Sequence, residues 1–543
     1  MSNAYFKLPE PYNEPVLTYG PDTPERMELK RKLTEMESNE IEIPLIIGGK
    51  EIKTGKTVDI TEPHNHEIKL GFYHKAGEKE VNMAIEAALK ARKTWAEMPW
   101  EQRASIFLKM ADLLAGSWRS TLNAATMLGQ SKTAYQSEID AVAELCDFWR
   151  FNAYYMTQLM SDQPYSPKGM WNRLEYRPLE GFVFAVTPFN FTSIAGNLPT
   201  SPAIVGNVAL WKPASSAVYS AYFLMQLFKE AGLPDGVINF IPGSGAQVGN
   251  PVMASPHLAG IHFTGSTAVF QDMWKTVGNN ISKMKYYPRI VGETGGKDFI
   301  FVHKSAKVVP LVTAAIRGAF EYQGQKCSAA SRMYIPKSLW PEFKKLYTAE
   351  VAKIKMGDVK DFRNFMTAVI DRGAYESITA YIKEAKDSKE AEIITGGEYT
   401  DSKGYFIEPT TIVTTNPKFK TMEEEIFGPV LTIYVYDDER FEETLELCDT
   451  TSPYALTGAI WAQDRYALIT MSDKLRNAAG NFYINDKPTA AVVGQQPFGG
   501  GRASGTNDKA GSAMNLLRWM TVRTIKETLV PPENWTYPFM ETK

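Results

Sequence analysis

Cysteine is scarce in this chain: three in 543 residues, Cys146, Cys327 and Cys448. Residues so few and so far apart make neither a disulfide framework nor a thiolate metal site, and they point to a reducing compartment. Histidine is nearly as rare. The six, His64, His66, His74, His257, His262 and His303, show no helical ligand spacing, so no metal site is expected. No run of about 18 apolar residues occurs, which excludes a membrane-spanning helix. The N-terminus lacks an apolar signal core and has no arginine before Arg26, unlike a transit peptide. A cytoplasmic location is expected, with a processed mitochondrial-matrix form as the alternative. An excess of one charge is lacking too: a net charge of −3 argues against a nucleic-acid partner. Internal repeats and low-complexity tracts are missing. So is the common dinucleotide fingerprint, because the glycines run Gly243-x-Gly245-x-x-x-Gly249 rather than Gly-x-Gly-x-x-Gly.

What is present is length enough for two or three domains with a large core. Residues 1–40, rich in proline and charge, read as a surface arm leading into a helical region that extends to 164. In that region the apolar spacing of Val81, Ala84, Ile85, Ala88 and Leu89 predicts a helix over 79–94. Pro99 opens a second helix to 114, and a third runs over 137–160. Residues 165–180 alternate polar and bulky groups, as in an exposed β-hairpin arm. Over 181–303 strands at 182–186, 208–211, 237–241, 260–263 and 298–302 alternate with helices, which predicts an α/β fold with a parallel, doubly wound sheet. A second such unit is expected over 304–490. Residues 491–543 form a loop and a C-terminal strand. Ligands sit at the carboxyl ends of such strands, where Thr187, Lys212-Pro213, Gly243-Ser-Gly245 and Thr264-Gly-Ser266 fall.

Chemistry concentrates in Glu321-Tyr-Gln-Gly-Gln-Lys-Cys-Ser-Ala-Ala-Ser-Arg332. Gly324 permits a tight turn. Lys326 places a cation beside the sulfur of Cys327, and such a neighbour favours thiolate. Small residues follow. A nucleophilic thiol is one reading; a buried structural cysteine is the other. Upstream stand Thr187-Pro-Phe-Asn-Phe191 and Val291-Gly-Glu-Thr-Gly-Gly-Lys297; downstream stand Glu424-Glu-Ile-Phe-Gly-Pro-Val430 and Gln496-Pro-Phe-Gly-Gly500. Alone, Asn190 reads equally as a helix cap and Glu293 as a solvated turn acid.

These five stretches in this order resemble the aldehyde dehydrogenase superfamily, from about Leu45 to the C-terminus. Residues 320–329 and Asn481-Phe-Tyr-Ile-Asn-Asp-Lys487 are most similar to its Δ1-pyrroline-5-carboxylate (L-glutamate γ-semialdehyde) dehydrogenases. The resemblance implies two doubly wound domains with a small oligomerisation arm, and NAD as cofactor. It implies Cys327 as nucleophile, Glu293 as general base and Asn190 as oxyanion donor. For the cofactor it implies Lys212 on the adenosine ribose, Gly265, Ser266, Thr267, Ala268 and Val269 under the pyrophosphate, Thr187 in the same crevice, and Glu425 with Phe427 at the nicotinamide ribose. Ser215 stands where many relatives carry a glutamate that favours NAD over NADP.

For the substrate the resemblance implies Ser328 and the loop Thr489-Ala490-Ala491 at the carboxylate, and Phe191 and Phe498 around the methylenes. Glu144 is placed near Lys326 or the ammonium. The family loop often has Gly-Ser where this chain has Ala490-Ala491. The expected reaction is NAD-dependent oxidation of the semialdehyde to L-glutamate in proline breakdown, by a homodimer or larger homo-oligomer coupled functionally to a proline dehydrogenase. The alternatives are a dehydrogenase of another small semialdehyde, acyl transfer to coenzyme A, and a non-catalytic NAD-binding relative.

Overall fold

The computed structural model describes residues 4–489 and 491–542. Two seven-stranded sheets form its frame. The first runs in the order Arg289–Glu293, Leu258–Thr264, Phe182–Val186, Val208–Lys212, Ile238–Phe240, Leu45–Ile47, Lys50–Ile52. Its first five strands are parallel and the last two join antiparallel. From Phe182–Val186 the chain proceeds two strands to one side, then crosses to Leu258–Thr264 on the other. The crevice at that reversal is where such folds take ligands.

The second sheet runs Ala391–Thr395, Thr410–Thr414, Val430–Tyr436, Ala330–Pro336, Asp298–Val302, Thr457–Trp461, Asn481–Ile484, parallel except at its first edge. Period-two alternation builds a core on each face. Phe299 and Phe301 enter one core; Ile300 and Val302 enter the other. The strand Asp298–Val302, expected with the first unit, thus sits inside the second sheet. The chain changes sheet within Thr294-Gly-Gly-Lys297, four residues that carry it from the end of one sheet to the start of the next.

The predicted helix over 79–94 is observed as Glu78–Glu97, with Val81, Ala84, Ile85 and Ala88 buried. That over 99–114 is Trp100–Ala115. The third is not one regular helix. A π-helical turn, Glu138–Ala143, precedes Glu144–Ser161, and it turns both Glu138 and Asp140 inward, where they are buried. Such turns recur at functional sites. The arm over 1–40 contains a helix, Pro24–Glu37, that packs Leu29, Leu33 and Met36 into the first core. The region 165–180 is not a hairpin. It supplies one strand, Met170–Pro178, which pairs antiparallel along its whole length with Met520–Thr528 of the same chain. Gln163 takes the edge where a second local strand would lie, bonding both the amide and the carbonyl of Leu174.

Candidate active site

Cys327 lies in a turn between the helix Val308–Phe320 and the strand Ala330–Pro336. The turn is strained: Tyr322 and Gln323 both hold left-handed backbone, φ 50° and 54°, at a cost of about 1–2 kcal/mol each. Side chains fix it. Tyr322 Oη donates to Gln130 O at 2.9 Å. Gln323 Nε2 reaches Ala368 O at 2.7 Å and Thr367 Oγ1 at 2.9 Å, while its Oε1 accepts from Thr367 N at 3.0 Å. Gln325 Oε1 accepts from Ile370 N at 2.9 Å. Gly324, φ +64°, lies so near Gly428 that a Cβ would stand 2.2 Å from its carbonyl oxygen. The run Tyr-Gln-Gly-Gln is therefore a clamp that presents the cysteine. Gln323→Ala is expected to lower stability by roughly 3 kcal/mol, because it strips a buried N–H and two acceptors of their partner; calorimetry of the purified variant measures this.

The turn faces the end of the first sheet. Glu293 is the last residue of its edge strand, and Gly296 approaches so closely that a Cβ there would meet Cys327 O at 2.2 Å. Asn190, buried just past Phe182–Val186, donates its Nδ2 to Gln325 O at 3.1 Å. Cys327, Glu293, Ser328, Phe191 and Phe498 line one cavity of about 420 Å³, together with Glu144, Lys326, Thr489 and Ala491. Ala490 lies outside the described residues.

Electrostatics in this cavity differ from expectation. Lys326 does not favour the thiolate. Its ammonium turns away to Gln136, with Glu321 at 3.6 Å and Asp140 at 3.9 Å. Burial, then the charges of Glu293, Asp298 and Glu425, push the Cys327 thiol well above its ordinary range. Glu293 is pushed up to about 8, chiefly by burial, against the pull of Lys509. Glu144 is pushed up to about 8 by burial and then by Asp140. Its carboxylate accepts from Ser193 rather than orienting Lys326.

The sequence reading missed Lys132. It pairs with Asp140 and lies 4.6 Å from the Phe191 ring centroid and 4.3 Å from that of Tyr322. The eight-residue spacing across a helix break carried no recognisable signal.

The other expected residues border the crevice of the first sheet, and they suit a dinucleotide. Lys212 ends its strand buried, its ammonium donating to Pro213 O at 3.1 Å, and burial lowers it to about 8. Thr187 Oγ1 accepts from Trp211 Nε1 at 2.9 Å, and Ser215 is exposed just beyond. Gly265 and Ser266 precede the helix Thr267–Asn280, whose first turn carries Ala268 and Val269. Among the described residues Thr267 Oγ1 there is buried without a hydrogen-bond partner, and an open helix N-terminus favours anions. Glu425 Oε1 accepts from Gly296 N at 2.9 Å, and a Cβ on Gly295 would collide with that carboxylate. Phe427, φ +57°, sets its ring edge-on to Phe189.

Strand-end groups suited to a dinucleotide, together with a buried thiol that faces a cavity, are what an oxidoreductase of aldehydes needs. The chain belongs to the aldehyde dehydrogenase family, whose model matches residues 51–525. It is 52% identical to the mitochondrial Δ1-pyrroline-5-carboxylate dehydrogenase of Dictyostelium discoideum, over 99% of this chain and 97% of that one. A crystal structure of the Δ-pyrroline-5-carboxylate dehydrogenase from Mycobacterium tuberculosis bound with NAD is 51% identical and covers both chains fully, with a TM-score of 0.97. Proline utilization A of Bdellovibrio bacteriovorus is 28% identical, with a TM-score of 0.91, over 97% of this chain and 54% of its own.

Proposed function

We propose that this enzyme oxidises L-glutamate γ-semialdehyde, the open form of Δ1-pyrroline-5-carboxylate, to L-glutamate with NAD. The observation that carries the reading is full-length likeness at about half identity to dehydrogenases of that name, one of them bound with NAD. The cavity supports it. Phe191 and Phe498 offer apolar walls for a short aliphatic chain, while Glu144 and the N–H groups of the loop through Thr489 and Ala491 suit an ammonium and a carboxylate.

In the reaction the Cys327 thiol gives its proton to solvent, and Sγ bonds to the aldehyde carbon as the carbonyl π pair moves onto oxygen. Asn190 Nδ2 and the Cys327 backbone N–H stabilise the oxyanion that forms. Lys212, the first turn of Thr267–Asn280 and Glu425 would hold NAD, which would supply the acceptor for the hydride that leaves the carbon as the thioester forms. Glu293 takes a proton from the water that attacks the resulting thioester, which frees the carboxylate product and returns the sulfur. Ser215 gives no carboxylate against a 2′-phosphate, so NAD preference rests on the relatives.

The strand pair Met170–Pro178 and Met520–Thr528 exposes Trp171 and Val522, which supports a homodimer. Likeness to half of proline utilization A supports coupling to a proline-oxidising activity that would supply the substrate. The mitochondrial designation of the Dictyostelium relative supports the matrix alternative for the compartment.

NADH formation followed by absorbance, with pyrroline-5-carboxylate, succinic semialdehyde and a simple alkyl aldehyde, tests the substrate. The first is expected to lead in kcat/KM by about a hundredfold or more, since a site built for charged groups rejects analogues that lack them. A lead by either of the others overturns the substrate and leaves the reaction class standing.

A further inference from the structure

The segment before Pro24–Glu37 has little regular structure, yet it is heavily bonded. Asn13, Glu14 and Val16 line the active-site cavity. Asn13 Nδ2 donates to Asp147 Oδ2 and to Val493 O, both at 2.8 Å, and Asn13 Oδ1 accepts from Gln495 Nε2 at 2.9 Å. A single side chain therefore ties the helix that carries Glu144 to the loop that carries Ala491. Glu14 N donates to Asp147 Oδ1 at 2.6 Å. Its carboxylate bridges Arg119 at 2.7 Å and Arg150 at 2.8 Å. Farther along, Leu17 N and Tyr19 Oη reach the buried Glu138 at 3.0 and 2.7 Å.

Two buried carboxylates and two arginines thus hold down an otherwise irregular segment, and charge-assisted bonds are the strong ones. The segment also lies before residue 51, where the match to the family begins. The full-length likeness to the pyrroline-5-carboxylate dehydrogenases includes it, so it belongs with that branch and not with the part of the chain that the family model matches.

We propose that this segment is a fixed wall of the substrate cavity, and that Asn13 is a positioning residue that holds the loop following Lys487 at a spacing suited to a short aldehyde charged at its far end. This rests on reading the cavity as the substrate site. Without Asn13 the carbonyl of Val493 and the amide of Gln495 lose their tether. The loop can then swing outward, which loosens the grip on substrate and opens Cys327 to solvent. The bonds that form and break in the reaction stay as they were.

The test is Asn13→Ala, with three readouts on the full-length enzyme. KM for pyrroline-5-carboxylate is expected to rise about tenfold, with kcat and KM for NAD within about twofold, as loss of one well-placed hydrogen-bonding group implies. Alkylation of Cys327 by iodoacetamide, read by peptide mass spectrometry, is expected to accelerate several-fold. The peptides of Cys146 and Cys448, both packed in the cores, serve as internal reference. Thermal denaturation reports whether the fold is kept. Should Asn13→Ala lose the fold, Gln495→Ala removes one of the two loop bonds of the same tether from an exposed position and is expected to act in the same direction, more weakly. Wild-type KM together with a wild-type alkylation rate overturns the proposal. So does a parallel loss of kcat, NAD affinity and thermal stability, which marks a merely structural segment. If the wild-type enzyme turns over a different aldehyde, the substrate reading fails, and the alkylation rates still decide the role of the wall.

Discussion

Cys327→Ala is expected to cut turnover by about four orders of magnitude or more, the scale on which removal of a covalent nucleophile acts, while NAD still binds. The sulfur has no substitute. Cys146 points its thiol at Ala111 O, 3.4 Å away in the first core, and Cys448 is enclosed in the second. Cys327 is 8% exposed and faces the cavity. None of the groups assigned to NAD, Lys212, Thr267 and Glu425, lines that cavity, so losing the sulfur leaves them in place. Absorbance at the NADH band measures the first effect and calorimetric titration with NAD the second. Turnover at the wild-type level would end the nucleophile assignment. The free enzyme adds a check of its own. Its thiol is held protonated by burial and by neighbouring carboxylates, so alkylation without NAD should be slow at neutral pH and should quicken as pH rises and the thiolate fraction grows.

The parallel sheets were legible from the chain because each strand carries its apolar run between helix signals, and the period-two split of Phe299 and Phe301 from Ile300 and Val302 is written in the residue order. Which sheet a strand joins was not. Asp298–Val302 follows Glu293 after only four residues, and local sequence holds nothing to say that those four cross between sheets. The alternation over 165–180 marks a strand without naming its neighbour; the resemblance to the family pointed to the C-terminal strand from Trp519 to Glu527, and the neighbour is that strand of the same chain, some 350 residues on. At the site, residue types in order singled out Cys327, Glu293 and Asn190; the structure sets Cys327 and Glu293 on one cavity and bonds Asn190 to Gln325, two residues before the cysteine. The direction of Lys326 was beyond sequence, because adjacency in the chain does not set where a long side chain points. Its charge goes to Glu321 and Asp140, the second delivered by a π-helical turn that a helix pattern cannot foretell. Likewise Gly324 was readable as a turn, whereas the clamp by Tyr322, Gln323 and Gln325 depends on partners at Gln130 and residues 367–370. The N-terminal wall was read only as a surface arm, since nothing in a proline-rich stretch shows which cavity it will cover.

Glu293→Gln separates the two halves of the reaction. The variant keeps the shape of the side chain and loses its basicity. Its first turnover is expected to release about one NADH per site, because formation of the thioester does not draw on this base, and the thioester then accumulates. Steady turnover should fall by about two to four orders of magnitude, the range for a lost general base. Stopped-flow absorbance sees the burst, and mass spectrometry sees the acyl group on Cys327. The geometry favours this division. Thr294 N donates to Ser504 O at 2.9 Å, which locks the residue after Glu293 to the loop beyond Gly500, and Thr506 N donates to Gly292 O at 2.9 Å on the other side. The carboxyl is thus aimed into the cavity by backbone bonds that glutamine leaves intact. The pH dependence carries a sign. A base works as its anion; Glu293, pushed up to about 8 by burial, is mostly protonated at pH 7 and gains its charge as pH rises through 8. Wild-type turnover should climb across that interval and fall away as pH drops below it. In Glu293→Gln the limb should vanish, leaving a low and flatter profile. A variant with no burst would place Glu293 before hydride transfer instead of after it, and one with unaltered turnover would remove it from the chemistry.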